Sequence, residues 1–278
     1  MSEQVSSVPA RADTIAILGA GVMGEALLSG WLRGGRDAAT VLISDRSEAR
    51  TEALTGRYGV QALPAEEAAA AAGTLVIAVK PQDMRALLEQ IGPRLGAQTL
   101  VVSLAAGITT AFLESHLPDG TSVARVMPNT PALVDQGMSA VSPGAHCDTD
   151  QLATATRLLS DCGKVISLPE HYLDAVTAIS GSGPAYIFYV VEAMIEAGVL
   201  LGIPRATSTE LVVQTVYGAA TMLKETGQHP TVLREQVSSP GGTTMAALRQ
   251  LDDNKVRAAF LTAIESAAHR SAELAGGS

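Results

Sequence analysis

Aromatic side chains are scarce in this chain: three Phe, five Tyr and one Trp among 278 residues. Basic residues are outnumbered, 19 Lys and Arg against 28 Asp and Glu, for a formal net charge of −9. Without a basic stripe interleaved with stacking aromatics, nucleic acid is excluded as a partner, and the acidic excess serves solubility. Cysteine is nearly absent. Cys147 and Cys162 are too few for a disulfide framework, and His116, His146, His171, His229 and His269 show no ligand spacing with them, so the reading is a reduced, metal-free, cytoplasmic protein. Long apolar runs are missing too: stretches such as 74–79 and 186–191 are too short to span a bilayer, and no membrane is expected. Residues 1–13 have neither the charged start nor the apolar stretch of a secretory signal and read as a disordered N-terminal tail.

Against these absences stands a strong alternation. From Thr14 onward, short β-branched runs give way to longer Ala- and Leu-rich stretches of helical period, the pattern of a parallel sheet covered by helices. Strands are predicted at 14–18, 41–44, 75–79, 100–103 and 122–126, with weaker signals near Val60 and Val141. Helices are predicted at 23–32, 48–57, 66–72, 82–95 and 110–117, and a helix and strand at 150–162 and 165–168 close the domain. After Pro169 the β signal stops. Between Ala175 and Leu223 only Glu192, Glu196, Arg205 and Glu210 carry charge, so the helices there are apolar on more than one face. A small helical domain cannot hide that surface within itself, which points to a homodimer through the C-terminal helices.

Gly19-Ala20-Gly21-Val22-Met23-Gly24 follows an apolar strand and opens a helix, the context in which a glycine fingerprint signifies a dinucleotide. The first glycine permits the tight turn, the second lets a pyrophosphate approach the backbone, and Gly24 lets helix and strand pack closely. The fold class is therefore α/β: an N-terminal Rossmann-type dinucleotide-binding domain at 14–169, then an all-helical dimerisation and substrate domain at 170–278. At the end of the second strand, Ser44-Asp45-Arg46-Ser47 offers two ways to hold the adenosine ribose. Asp45 suits a 2′-hydroxyl and hence NAD(H); Arg46 with its flanking hydroxyls suits a 2′-phosphate and tilts the balance slightly to NADP(H). Val79-Lys80-Pro81 and the run ending in Ala105-Ala106-Gly107 close later strands at the same carboxyl edge, where open sheets bind ligands. In Pro128-Asn129-Thr130-Pro131, Asn129 suits the nicotinamide ribose or carboxamide.

Far downstream, Ser238-Ser239-Pro240-Gly241-Gly242-Thr243-Thr244 reads as a second anion pocket. Pro240 stiffens the approach, Gly241 and Gly242 bring backbone N–H groups close to a ligand, and Thr243 or Thr244 caps a helix beginning near Met245. A small carboxylate fits there.

Taken together, Gly19 to Gly24, Ala78-Val79-Lys80-Pro81, Ser103 to Gly107, Pro128 to Pro131, Ser180-Gly181-Ser182-Gly183-Pro184-Ala185 and Val237 to Thr244 resemble the pyrroline-5-carboxylate reductases, over nearly the whole chain from Thr14. The resemblance implies reduction of 1-pyrroline-5-carboxylate to L-proline by hydride transfer from NAD(P)H, the last step of proline biosynthesis, by a homodimer that can build rings of dimers. It also implies that Ser239, Gly241, Gly242, Thr243 and Thr244 hold the substrate, with its ring nitrogen near the Thr244 hydroxyl as the catalytic contact, and that Glu170 is a substrate-contacting acid. One departure is Asp45, where the family often has a small hydroxyl or amide residue. Hydroxyacid and phosphogluconate dehydrogenases combine similar domains but need a lysine early in the first interdomain helix, and none occurs between Lys164 and Lys224. A non-catalytic nucleotide-binding module would tolerate decay of the downstream loop, yet Ser239, Gly241, Gly242 and Thr244 are intact.

Overall fold

Eight strands, β1 (Ile15–Leu18), β2 (Val41–Ser44), β3 (Gln61–Ala62), β4 (Thr74–Ile77), β5 (Leu100–Ser103), β6 (Ser122–Met127), β7 (Gly137–Pro143) and β8 (Gly163–Ser167), form one sheet in the computed structural model, which describes residues 11–276. Their order is β3-β2-β1-β4-β5-β6-β7-β8. Strands β1 to β6 run parallel, β7 is antiparallel to β6, and β8 is parallel to β7. Leu18 of β1 lies level with Ser44 of β2 and with Ile77 of β4, so the carboxyl ends of these strands share one edge. The chain reverses its order of winding at β1 and β4, which opens a crevice there.

Six helices cover this sheet: α1 (Val22–Arg33), α2 (Glu48–Tyr58), α3 (Ala65–Ala71), α4 (Met84–Ile91), α5 (Thr110–Ser115) and α6 (Thr149–Ser160). The strands bury both faces, and alternate residues divide cleanly between two cores. Ile15, Ile17, Val41, Ile43 and Val76 pack with Leu27 and Trp31 of α1, Leu54 of α2 and Leu158 of α6. Ala16, Leu18, Leu42, Leu75 and Ile77 pack with Ala68 of α3, Leu88 of α4 and Leu113 of α5. The fully buried Trp31 indole donates to the Leu158 carbonyl at 2.6 Å, satisfying its one polar atom.

Local signals explain most boundaries. Ser47 caps α2 by accepting from the Arg50 N–H, and Asp148 with Gln151 forms a capping box on α6. The helix predicted at 82–95 is α4 preceded by a 3-10 turn at Pro81–Asp83 and followed by a second at Gly92–Arg94, where Pro93 has no N–H with which to continue the helix. Arg11–Asp13, assigned to the tail by sequence, is a 3-10 turn held on the sheet's amino edge, where Arg11 donates to the Ala72 carbonyl and the Thr99 hydroxyl; the rest of that assignment lies outside the described residues. Cys162 is buried against the Ala26 carbonyl, and burial pushes its thiol up to about 12, leaving it inert as a nucleophile.

The chain divides into two compact units after Gly181, with the segment from Ala267 onward returning to the first. The sequence reading placed the boundary at 169/170; the segment between, which includes α7 (Leu173–Val176) and a π-helical turn at Thr177–Gly181, is tied to the sheet by side chains described below. In the same unit Ser271 donates to Asp174 at 2.7 Å. The second unit comprises α8 (Gly183–Leu200), α9 (Arg205–Thr226), α10 (Pro230–Gln236), α11 (Thr243–Asp253) and the first part of α12 (Val256–Gly276). Here α8 and α9 pack as a hairpin in which Ser208 donates to the Ile195 carbonyl and fills the space a side chain at Gly198 would need. Much apolar surface remains uncovered in this unit: Phe188 is 66% exposed, Tyr217 67% and Leu261 73%. The continuous helical stretch Glu170–Leu200 is long and apolar enough, by length and composition, to cross a membrane: an 18-residue window within it has a mean hydropathy of 1.3, and none of that window is buried. The apolar run 186–191 is too short for this by itself, but α8 continues it through Ala193, Met194, Ile195, Val199 and Leu200.

Candidate functional site

The glycine loop sits where β1 turns into α1. Gly19 has φ +94°, and a Cβ there would lie 2.8 Å from the Ala78 backbone, so only glycine fits; a Cβ at Gly24 would strike the Gly19 carbonyl. The peptide of Ala20 is clamped from two sides. Asp45 accepts from the Ala20 N–H at 2.8 Å, and Arg50 donates to the Ala20 carbonyl at 2.7 Å. Arg50 is itself oriented by Glu25, which also pairs with Arg57 and accepts from Tyr58. Partial burial raises the Glu25 carboxyl, but the hydrogen bonds from Arg50 and Tyr58 and the two arginine charges outweigh it and hold the group below its ordinary value. Gly21 is the N-cap of α1 and makes no side-chain cap, so the first-turn N–H groups of Val22, Met23 and Gly24 face outward without intrahelical acceptors. A Cβ at Gly21 would meet no atom within 4 Å. The space over the loop is open for a phosphate, and the loop fits a dinucleotide pyrophosphate.

Beside the loop lies a cleft of about 580 Å³ lined by Gly19, Gly21, Ser44, Asp45, Arg46, Val79 and Lys80, all expected from sequence. It is also lined by Pro64, Ala65, Glu66, Asp83, Ala86, Leu87 and Gln90, which sequence reasoning missed. Their only signal is position: they follow β3 and β4 at the carboxyl edge. Asp45, expected to choose between cofactors, has both carboxylate oxygens engaged by backbone, one by Ala20 and the other by the Ser47 N–H at 3.0 Å. Arg46 forms a two-bonded ion pair with Asp83, at 3.1 and 2.7 Å. Pro81 starts the turn that presents Asp83. Ala105, Ala106 and Gly107 form a tight turn after β5, with Gly107 at φ +77° and only Ala106 exposed; they share the sheet edge but not the cleft lining.

Two further expectations take a different form. Asn129 is 8% exposed, and its amide bridges the Ser180 carbonyl, at 3.0 Å, and the Met138 N–H, at 2.8 Å. Its side chain is thus a strut that fixes the π-helical turn to the start of β7, rather than an amide turned toward nicotinamide. Glu170, expected to touch substrate, accepts instead from the Thr110 N–H (2.8 Å), the Thr110 hydroxyl (2.7 Å) and the guanidinium of Arg125 (3.2 Å). Arg125 is buried within β6, and Glu170 is the carboxylate that compensates its charge.

In the second unit, Ser239-Pro240-Gly241-Gly242 is a turn closed by the Gly242 N–H and the Ser239 carbonyl at 3.0 Å. Proline in its second position and Gly241 at φ +69° in its third make it type II. Gly242 is the N-cap of α11, which begins at Thr243, so neither Thr243 nor Thr244 caps the helix as expected; both lie in its first turn. Among the described residues the hydroxyls of Ser239, Thr243 and Thr244 have no hydrogen-bond partner, unlike those of Thr209, Thr215 and Thr221, which bond the preceding helical turn.

A mostly parallel sheet with this glycine loop at its switch point, followed by a helical unit, is the architecture of a dinucleotide-binding protein, and its likeness to known proteins makes it an NAD(P)-dependent oxidoreductase. Residues 14–107 match the family described as NADP oxidoreductase coenzyme F420-dependent, and residues 170–274 match pyrroline-5-carboxylate reductase dimerisation. A curated pyrroline-5-carboxylate reductase from Corynebacterium melassecola is 47% identical, covering 94% of this chain and 98% of its own. Among solved structures, the Coxiella burnetii pyrroline-5-carboxylate reductase superimposes with a TM-score of 0.89 at 34% identity, covering 95% of this chain and 98% of its own. The Plasmodium falciparum pyrroline carboxylate reductase with NADP bound gives 0.87 at 28%, covering 96% and 100%. The chain belongs to the pyrroline-5-carboxylate reductase family.

Proposed function

We infer that the chain reduces 1-pyrroline-5-carboxylate to L-proline, and we propose how its residues divide the work. When bound, the nicotinamide cofactor supplies the hydride that saturates the ring C=N bond. Val22, Met23 and Gly24 hold the pyrophosphate on their outward N–H groups, Gly19, Ala20 and Gly21 shape the loop that lets it approach, and Lys80 adds positive charge at the cleft. Ser44 and Arg46 receive the adenosine ribose. With Asp45 committed to the backbone, the exposed Arg46 guanidinium favours NADP(H) over NAD(H), while both are accepted. Val79, Pro81 and the turn Ala105-Ala106-Gly107 shape the floor along the sheet edge.

The substrate carboxylate is held by the N–H groups that open α11 and by the hydroxyls of Ser239 and Thr243, with Gly241 and Gly242 allowing close approach. The Thr244 hydroxyl meets the ring nitrogen. An iminium already carries its proton, so hydride addition gives a neutral amine and no general acid is obligatory; what these residues contribute is orientation, which is worth up to about 7 to 11 kcal/mol in well-aligned reactions. The exposed apolar faces of α8, α9 and α12 pair with a second copy, giving a cytoplasmic homodimer and covering the helix that is otherwise apolar enough for lipid.

The observation that carries the substrate assignment is the set of hydroxyls, Ser239 in the turn before α11 and Thr243 and Thr244 in its first turn, that have no hydrogen-bond partner among the described residues. Thr244→Ala is expected to cost about 1.5 to 3 kcal/mol of transition-state stabilisation, roughly tenfold to a hundredfold in kcat/KM for imine-dependent NADPH oxidation. Since Thr244 is not the cap, the melting temperature should stay within about 2 °C of wild type. Wild-type kinetics in this variant would remove Thr244 from the mechanism.

A further inference from the structure

Arg46 follows β2 and Asp83 follows β4, the two strands that flank β1, so their ion pair bridges the cleft lining from either side of the strand that carries the glycine loop. The Arg46 side chain is 83% exposed and that of Asp83 28%, and the guanidinium uses two nitrogens on the two carboxylate oxygens. That fork geometry is the one a phosphate would need. A 2′-phosphate that takes this two-nitrogen edge of Arg46 must displace Asp83, and the released carboxylate then sits as a like charge beside the incoming dianion. A ribose with a free 2′-hydroxyl faces no such conflict, because the pair can stay closed. Of the other charged groups lining the cleft, Asp45 is held by backbone N–H groups, and Glu66 and Lys80 make no ion pair with Arg46 among the described residues.

We propose that Asp83 is a specificity-determining residue: by competing for Arg46 it holds down the preference for the 2′-phosphorylated cofactor and keeps the non-phosphorylated one usable. This rests on the reading that Arg46 recognises the 2′-phosphate. The test is calorimetric titration of the full-length protein with adenosine 2′,5′-bisphosphate and with AMP, which differ only in the 2′-phosphate, for wild type, Asp83→Asn, Arg46→Gln and the double variant. The readout is the ratio of the two dissociation constants, which cancels any general change in the cleft. Asp83→Asn should shift the ratio toward the bisphosphate by about threefold to tenfold. Arg46→Gln should shift it the other way by about tenfold or more, and Asp83→Asn should then act only by removing a like charge, with clearly less than its effect in the wild-type background. An unchanged ratio in Asp83→Asn alongside a weakened bisphosphate in Arg46→Gln overturns the competition while leaving the cofactor reading intact; so does an Asp83→Asn effect of full size in the Arg46→Gln background. An Arg46→Gln ratio equal to wild type overturns the cofactor reading itself, and the competition with it.

Discussion

Replacing Glu170 by Gln separates two roles for this carboxylate. Gln keeps the length and one acceptor for the Thr110 N–H, but it removes the negative charge facing Arg125, whose side chain is only 6% exposed. Breaking a fully buried pair from one side costs about 3 to 5 kcal/mol, chiefly because the orphaned charge stays buried. The Glu170 side chain is 28% exposed, so water relieves part of this, and about 2 to 3 kcal/mol is expected. At roughly 2 to 4 °C per kcal/mol for a chain of this size, the melting midpoint should fall by about 4 to 12 °C at fixed protomer concentration. The KM for the imine should stay within about twofold of wild type. Adding Arg125→Met to the variant should restore part of the loss, because no buried charge is then left without a partner. A Glu170→Gln enzyme that melts with wild type yet shows a KM raised tenfold would refute this reasoning and return the carboxylate to the substrate.

Gly19→Ala should destabilise the first unit by at least about 2 kcal/mol, since the added Cβ meets the Ala78 backbone at φ +94°, and should weaken NADPH binding at least tenfold in a fluorescence titration. Glu25→Gln should be less stable than wild type at neutral pH. Because the folded Glu25 carboxyl lies below its ordinary 4.5, its contribution is fully present above that value and is lost as pH falls toward the folded pKa. Urea unfolding at a series of pH values should therefore show a constant gap between the two proteins above about pH 5 and a narrowing gap below it.

The sheet was legible because its strands are short apolar runs rich in Val and Ile set between helical stretches, and β2 and β5 begin and end where the pattern does. The glycine loop was legible because each glycine answers a local steric demand. What sequence could not show were side-chain partners distant along the chain. Asp45 reaches a peptide 25 residues away, Arg46 a carboxylate 37 away, and Asn129 a carbonyl 51 away. No periodicity encodes such contacts; they exist only once the strands are assembled in the order β2-β1-β4-β5-β6. The same holds for Glu170, whose substrate contact was implied by the family resemblance alone and whose hydrogen-bond partners come from α5 and β6. The start of α11 was misplaced for a simpler reason, since Gly242 can serve as a cap without offering a side chain to recognise.

The carboxylate that braces the Ala20 peptide also constrains anyone redesigning this enzyme for a different reductant. Exchanging the acid at the end of the second strand is the obvious route to a new coenzyme, yet Asp45→Ser would orphan the N–H of a residue 1% exposed and slacken the turn that every nucleotide must use. Redesign is better aimed one position later, at a side chain that no peptide leans on.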